Sequence, residues 1–230
     1  MVKVLVKKGD ETQFLYETSV GTDNVELTQQ ITYIYNGRLK VSRICSELEE
    51  LSKHGTMLPP DMMGLTDEQI EELKLKDEWG ERCEPSGGCT DNKDPMGRRN
   101  GKQPSEHMQQ LINKSVTDVK EMLSKKKADN GICMTLKTVQ EALEILRGTV
   151  MIIYPMNLPP HDVIRQEFEN TEDLSGTQAS LDVIDVASAQ LWFSGKELVR
   201  NKKLCNFVGN NYTPSRANIS GTVGRITKFH

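Results

Sequence analysis

Aromatic residues are scarce in this chain of 230 residues: five Phe, five Tyr and two Trp. With a hydrophobic share of only 36%, the apolar inventory is lean. The length still allows one large domain or two small ones with a true core, surrounded by long exposed segments. No run approaches the roughly 18–20 apolar residues of a membrane span. The opening MVKVLVKKGD alternates apolar and charged residues, without the apolar centre of a signal peptide. A soluble intracellular protein is expected. Cys45, Cys83, Cys89, Cys133 and Cys205 are odd in number and scattered, which argues against a disulfide framework. A formal charge of −4 argues against nucleic acid as the main partner, because phosphate binding needs a basic surplus. Glycosylation-type triplets begin at Asn113, Asn211 and Asn218 and read as chance matches without a secretory signal.

Familiar constellations are missing as well. Cys83 and Cys89 have the wrong spacing for a zinc knuckle, and their neighbours are exposed acids, so free thiols are expected. His54, His107 and His161 read as ordinary surface residues. Asp91-Asn-Lys-Asp94 lacks the ligand order of a calcium loop and reads as a solvated turn. Met96-Gly-Arg-Arg-Asn-Gly101 has glycines without the strand and helix that flank a phosphate loop. Arg98 and Arg99 can clamp an acidic partner or a phosphate, although a solvated loop is the favoured reading. No catalytic residue, metal or cofactor is expected, and the chain is not expected to be an enzyme.

Against these absences stands a legible order of elements. Val2, Val4 and Val6 alternate with Lys3 and Leu5 before Gly9-Asp10, and a second β-rich run follows over residues 14–20. This predicts a hairpin of half-buried strands. The period then changes: Val25, Leu27, Ile31 and Ile34 take helical spacing after Asp23-Asn24, with Gly37 as the expected stop. A second helix is predicted over residues 39–54, with Ile44, Leu48 and Leu51 on one face and Gly55 as its end. Hairpin then helix is the opening of a β-grasp fold. Near the far end, AQLWFSGKEL (189–198) and KLCNFV (203–208) look like the second half of ubiquitin. There Leu191 and Phe193 would face inward and Gly195 would be free to take positive φ.

The predicted class is therefore α+β: a split β-grasp (ubiquitin-like) domain over residues 1–56 and 188–212, with a large helical insertion at 57–187. Thr66-Asp-Glu-Gln69 fits a capping box. Residues 80–104 are rich in Gly, Pro and polar residues and read as a mobile loop. Met108, Leu111, Ile112, Val119, Met122 and Leu123 form a helical stripe, closed by three lysines and Asn130-Gly131. A partner helix carries Val139, Leu143, Leu146, Val150 and Ile153. Its β-branched end would suit a strand, but the unbroken period and Pro155 favour helix. The two would form an antiparallel hairpin. A short helix is expected around residues 163–168, within an acidic stretch. Residues 213–230, with Pro214 and Gly221, read as a disordered tail. The absence of a terminal di-glycine points to a binding scaffold and not a conjugated tag.

The acidic helix that ends at Trp79 offers the one candidate partner interface: Glu71, Glu72, Asp77 and Trp79, joined by Arg98 and Arg99. Ile70 and Leu73 form one apolar edge, Leu75 and Trp79 another. Trp79 is either a core residue or an exposed anchor ringed by charge, the usual form of an interaction hot spot. For Trp192 a predicted strand favours packing on the sheet.

Three exact strings carry a wider resemblance: MLPPDMMGLTDEQIEELKLKDEWGERCEPSGG (57–88), YNGRLKVSRICSELEELSKHG (35–55) and IIYPMNLPPHDVIRQEFENTEDLSGTQA (152–179). They resemble the Kurly family of cilia- and flagella-associated proteins, and the likeness runs to about residue 209. The resemblance implies a non-catalytic factor of the cytoplasm and the basal body that promotes assembly of outer dynein arms. It implies other assembly factors, chaperones and dynein subunits as partners, and a link to cilium positioning and planar polarity. A structural axonemal or basal-body protein is the alternative. Beyond residue 209 the sequence departs from the family, which leaves the last β-grasp strand open.

Overall fold

The computed structural model describes residues 1–209 and the backbone of Thr222–Arg225. Along the chain come β1 (Val2–Lys8), β2 (Glu11–Thr18), α1 (Asn24–His54), α2 (Asp67–Glu72) and α3 (Glu78–Arg82). Next are β3 (Cys89–Asp91), β4 (Lys102–Pro104), α4 (Glu106–Met122), α5 (Lys126–Asp129) and α6 (Leu136–Ile153). Then follow α7 (Val163–Glu169), α8 (Gln178–Asp182), β5 (Trp192–Phe193), β6 (Lys196–Glu197), α9 (Cys205–Val208) and β7 (Thr222–Arg225). Helix and strand are mixed, in keeping with the α+β class. The chain divides into two compact units. One comprises Met1–Leu39, Met122–Gln140 and Ser175–His230; the other comprises Lys40–Glu121 and Glu141–Leu174. Three of the four divisions fall within α1, α4 and α6, and the fourth lies between Leu174 and Ser175.

In the first unit the sheet order is β2-β1-β7-β5-β6. β1 and β2 pair antiparallel from Val2↔Thr18 to Lys8↔Glu11, with an irregularity at Val6/Lys7. The period of two buries Val2, Val4 and Val6 on one face. Leu27, Ile31 and Ile34 of α1 are fully buried, as are Leu204 and, nearly so, Phe14, Leu191 and Leu198. Each such side chain contributes about 1.5–3 kcal/mol of burial. Early and late segments are also stitched together by the backbone. Leu204 N–H donates to Thr22 O, Cys205 N–H to Val20 O, and the buried Asn24 donates through Nδ2 to Val199 O at 2.9 Å. The β5–β6 turn has positive φ at both Ser194 (48°) and Gly195 (78°), the backbone signature of a tight primed hairpin. Trp192 is half-buried, and its Nε1 has no hydrogen-bond partner among the described residues.

One expectation changes here. Gly37 does not end a helix: α1 runs unbroken for 31 residues. A Cβ at Gly37 would lie 2.6 Å from Val139 Cγ1, so glycine is the residue that lets α6 approach α1. The stretch 213–230, expected to be a tail, lies outside the described residues apart from β7. The β7 backbone runs parallel to β1 and antiparallel to β5, in the centre of the sheet.

The second unit is built from the later part of α1, α2, α3, the β3–β4 hairpin and most of α4 and α6, with α7. Ile44, Leu48 and Leu51 of α1 pack inward at helical spacing, together with Ile112, Val116 and Val119 of α4 and Leu146, Val150 and Ile153 of α6. One polar contact crosses this core, Thr149 Oγ1 donating to Ser115 Oγ at 2.9 Å. The helical reading of residues 150–153 holds. Residues 80–104, expected to be a mobile loop, contain the end of α3 and the antiparallel β3–β4 pair.

Candidate functional site

The acidic segment begins as the sequence predicts. Thr66 Oγ1 accepts from Gln69 N–H at 3.3 Å, and Gln69 Oε1 accepts from Thr66 N–H at 2.9 Å, a complete capping box. The helix is shorter than expected, however. It closes at Leu73, Lys74 turns left-handed with φ 53°, and a new helix opens at Asp77. Trp79 thus lies in the first turn of α3, and the two-edged single helix does not form. Glu71 and Glu72 are exposed on α2, which buries none of its residues. Asp77 is spent on structure, its Oδ1 accepting from Gly80 N–H at 2.8 Å. Trp79 is 38% exposed, with the Arg82 guanidinium 5.7 Å from its ring centre. It is neither a core residue nor a fully bared anchor.

Arg98 and Arg99 part company. Arg98 is exposed and reaches Glu47 Oε1 at 3.3 Å. Arg99 is buried at 4% exposure and cannot meet a partner. Its Nη1 donates to Gly55 O at 2.8 Å and its Nη2 to Glu47 Oε2 at 2.5 Å. Asp162 Oδ2 stands 3.9 Å from Nη1. Asp162, fully buried, also accepts from Met57 N–H at 3.1 Å and, as the cap of α7, from Ile164 N–H at 3.0 Å. Burial pushes its carboxyl above the ordinary range, against the opposing pull of Arg99 and the two amides. An ionic cluster therefore binds α1, α7 and the loop before β4 into one body.

The turn at residues 91–94 is likewise more than a solvated turn. Asp94 is buried and accepts three amides, from Met96 at 2.9 Å, Arg98 at 2.8 Å and Arg99 at 2.9 Å. Burial alone would raise its carboxyl, but the three N–H donors outweigh it, and the group sits below the usual carboxylate range. A second carboxylate, Glu167, is buried at 1% exposure and held bidentately by Arg43 at 2.6 and 3.0 Å. His54 and His161 are half-buried and not ordinary surface residues: their rings meet the carbonyls of Asn92 at 3.1 Å and Met57 at 3.0 Å. His107 is exposed.

A feature the sequence reading missed lies on the second half of α6 and the turn after it. Ile145, Met151, Ile152 and Met156 are exposed, the two methionines by 64% and 73%. Beside them a groove of about 570 Å³ is lined by Val150, Met151, Tyr154, Pro155 and Phe168, with Arg147, Arg165 and Glu169 among its polar residues. The signal was present in the string LEILRGTVMII, which is apolar on two faces of one helix. Only one of those faces was needed for the core.

All five cysteines are free. Burial raises the thiols of Cys83 and Cys133, and that of Cys45 to about 11. No group of three or more metal-ligating side chains converges among the described residues. No described helix is long and apolar enough to cross a membrane.

These features define an α+β protein whose buried charges are structural and whose outward chemistry is apolar edges set among charge. Relatives give the family. Over 211 residues, 92% of this chain and 73% of the relative, the sequence is 59% identical to cilia- and flagella-associated protein 298 of Homo sapiens. It is 57% identical to the Danio rerio protein of the same name, with the same coverage. Against that of Drosophila melanogaster it is 52% identical, over 92% of this chain and 72% of the relative. The chain belongs to the cilia- and flagella-associated protein 298 family. No family model matches, and no solved structure matches.

Proposed function

We propose that this chain is a non-catalytic cytoplasmic factor for motile cilia that promotes assembly of outer dynein arms. The observation that carries this reading is 59% identity to a relative named for cilia and flagella. The three strings at residues 35–55, 57–88 and 152–179, with the resemblance they carry, supply the dynein arm, the basal body and the link to cilium positioning and planar polarity. Its partners are other assembly factors, chaperones and dynein subunits. Glu71, Glu72, Trp79 and Arg98 stay in the candidate partner face because they are solvent-accessible; Asp77 and Arg99 leave it.

We infer further that the first unit is a split β-grasp. In support, the hairpin and the late strands form one sheet in the order β2-β1-β7-β5-β6, with β1 and β7 as a parallel pair, and α1 follows the hairpin in the chain. The second reading, a structural axonemal or basal-body protein, draws on the relatives' names, which speak of association with cilia and flagella. Removal of the gene from ciliating cells separates the two. Assembly predicts cilia of normal number with outer arms missing and the protein in the cytoplasmic fraction. Full outer arms in the knockout would defeat the assembly reading, and stoichiometric recovery in washed axonemes would favour the structural one.

A further inference from the structure

We propose that the groove beside α2 receives one large apolar side chain from a partner segment flanked by lysines and arginines. This rests on the candidate partner face given above, to which Glu71 and Glu72 of α2 belong, and names the chemistry of what binds there. The groove, of about 350 Å³, lies within the second unit. Leu58, Leu65 and Ile70 line it from one stretch of chain, and Asp91, Lys93 and Gly97 from another. The two stretches touch at glycine. Gly64 N–H donates to Gly97 O at 3.0 Å, and a Cβ on Gly97 would lie 3.4 Å from Gly64 Cα. Groove and helix are therefore one continuous surface, with Met96, next to Gly97, exposed by 75%.

Burial within the chain does not account for α2. It has six residues and buries none of them, and an isolated helix so short is marginal in water. Its capping box and the exposed Lys93–Asp67 pair hold it. Its apolar side chains stay partly wet: Ile70 is half-buried and Leu73 is 59% exposed. Leu58 and Leu65 are half-buried as well. The other wall is fixed, because Asp94 accepts the amides of Met96, Arg98 and Arg99, and Leu58 N–H donates to Arg98 O at 2.9 Å. An apolar side chain set between the walls would give α2 the burial it lacks, against a surface already ordered. The volume suits one such anchor.

Charge selects the flanks. Over residues 58–76 and 91–98 the exposed acids are Asp61, Asp67, Glu68, Glu71, Glu72 and Asp91, and the exposed bases are Lys74, Lys76, Lys93 and Arg98. Lys93 is held by Asp67 and Arg98 by Glu47. Asp94 and Arg99 also line the groove, but both are buried and bonded within the chain. Set aside these pairs, and the acids Asp61, Glu68, Glu71, Glu72 and Asp91 outnumber Lys74 and Lys76. Lysine and arginine meet such a surface with complementary charge. A second copy of a chain of net charge −4 would bring like charge instead.

The test uses the full chain with ¹³C-methyl labels on methionine and isoleucine, titrated with three short synthetic peptides. The first carries a central phenylalanine among lysines, the second the same phenylalanine among glutamates, and the third an alanine among lysines. The first should bind at least about tenfold more tightly than either of the others and shift the methyl signals of Ile70 and Met96. Ile70→Ala should weaken it by about fivefold or more with little change in melting temperature, because α2 buries nothing in the core. Glu68→Gln, Glu71→Gln and Glu72→Gln together should narrow the gap between the first two peptides to about threefold or less. Equal binding of the two phenylalanine peptides, no loss with the alanine peptide, or unchanged affinity in Ile70→Ala would overturn the proposal. So would signals that move with protein concentration alone, which would mean that a second copy fills the groove. Silent Ile70 and Met96 signals would also overturn it, and the indole N–H signal of Trp79 then separates two failures. A shift there would remove the groove and keep the candidate partner face; no shift would remove both. The ciliary reading above stands in either case.

Discussion

At the scale of single residues, Arg99 is the clearest case of a charge whose neighbours decide its role. Arg98 and Arg99 are adjacent, yet one faces water and the other serves Glu47, Gly55 and Asp162. Arg99→Met removes the only cation set against the fully buried Asp162 among the described ion pairs. It is expected to cost about 3–5 kcal/mol, as breaking a buried pair from one side does. Arg98→Met should change stability by no more than about 1 kcal/mol. Chemical denaturation of both variants checks the pair; an Arg99→Met protein as stable as its parent would mean the cluster has no structural role. Asp94 offers a pH signature. Its folded carboxyl is depressed, so its contribution is complete above the unfolded value of about 3.9 and disappears as pH falls through the lower folded value. The stability gap between the wild type and Asp94→Asn should hold steady from about pH 5 upward and close in stronger acid. A gap that widens in acid would contradict this. Neither role was visible in the sequence, where Asp94, Arg98 and Arg99 are merely polar residues in a Gly-rich stretch. Which of two neighbouring arginines is buried is settled by contacts from residues 47 and 162, far away in the chain.

At the scale of elements, local chemistry was read correctly wherever it acts locally. The Thr66–Gln69 capping box, the alternation of Val2, Val4 and Val6 and the turn at Gly195 depend on neighbours within a few residues, and each took its expected form. Gly37 did not, because nothing local says whether a glycine ends a helix or thins it for a neighbour. That distinction leads to a test. Gly37→Ala improves helix propensity by about 1 kcal/mol, but its methyl would enter the space of Val139 Cγ1. The net result should be destabilisation of about 1–3 kcal/mol. Val139→Ala on the same background should recover part of that loss, a positive coupling in a double-mutant cycle. If Gly37→Ala alone melts at a higher temperature than the parent, close approach is not the reason for the glycine. The break between α2 and α3 escaped notice for a related reason: Lys74 in left-handed backbone carries no sequence mark.

At the scale of the whole molecule, pairing of the two ends was legible from pattern. A lone hairpin leaves one face wet, and β5 and β6 supply further strands to the same sheet. What pattern could not give was β7, whose sequence holds a glycine in a segment that looks like a tail. Its backbone pairs with Leu5, Val6 and Lys7 on one side and with Phe193 on the other. A chain cut after Gly209 should therefore lose amide protection at residues 5–7 and 193, while α4 and α7 in the other unit keep theirs. Hydrogen exchange on the two chains reads this directly. Unchanged protection at Val6 would show that β7 contributes nothing to the sheet.

That central strand also sets a timetable for the newborn chain. Some 214 residues separate Lys8 from Thr222, so at roughly 5–20 residues per second the ribosome needs roughly 10–40 s to deliver β7 after β1. Throughout that interval the inner edge of β1 carries unpaired backbone groups beside valines, the kind of edge on which other chains nucleate. Completion of the sheet is a late event relative to the synthesis of β1, and its long loop closure makes it slow. A holding chaperone on the emerging N-terminus would matter more for this protein than for one whose strands are made in the order in which they pair.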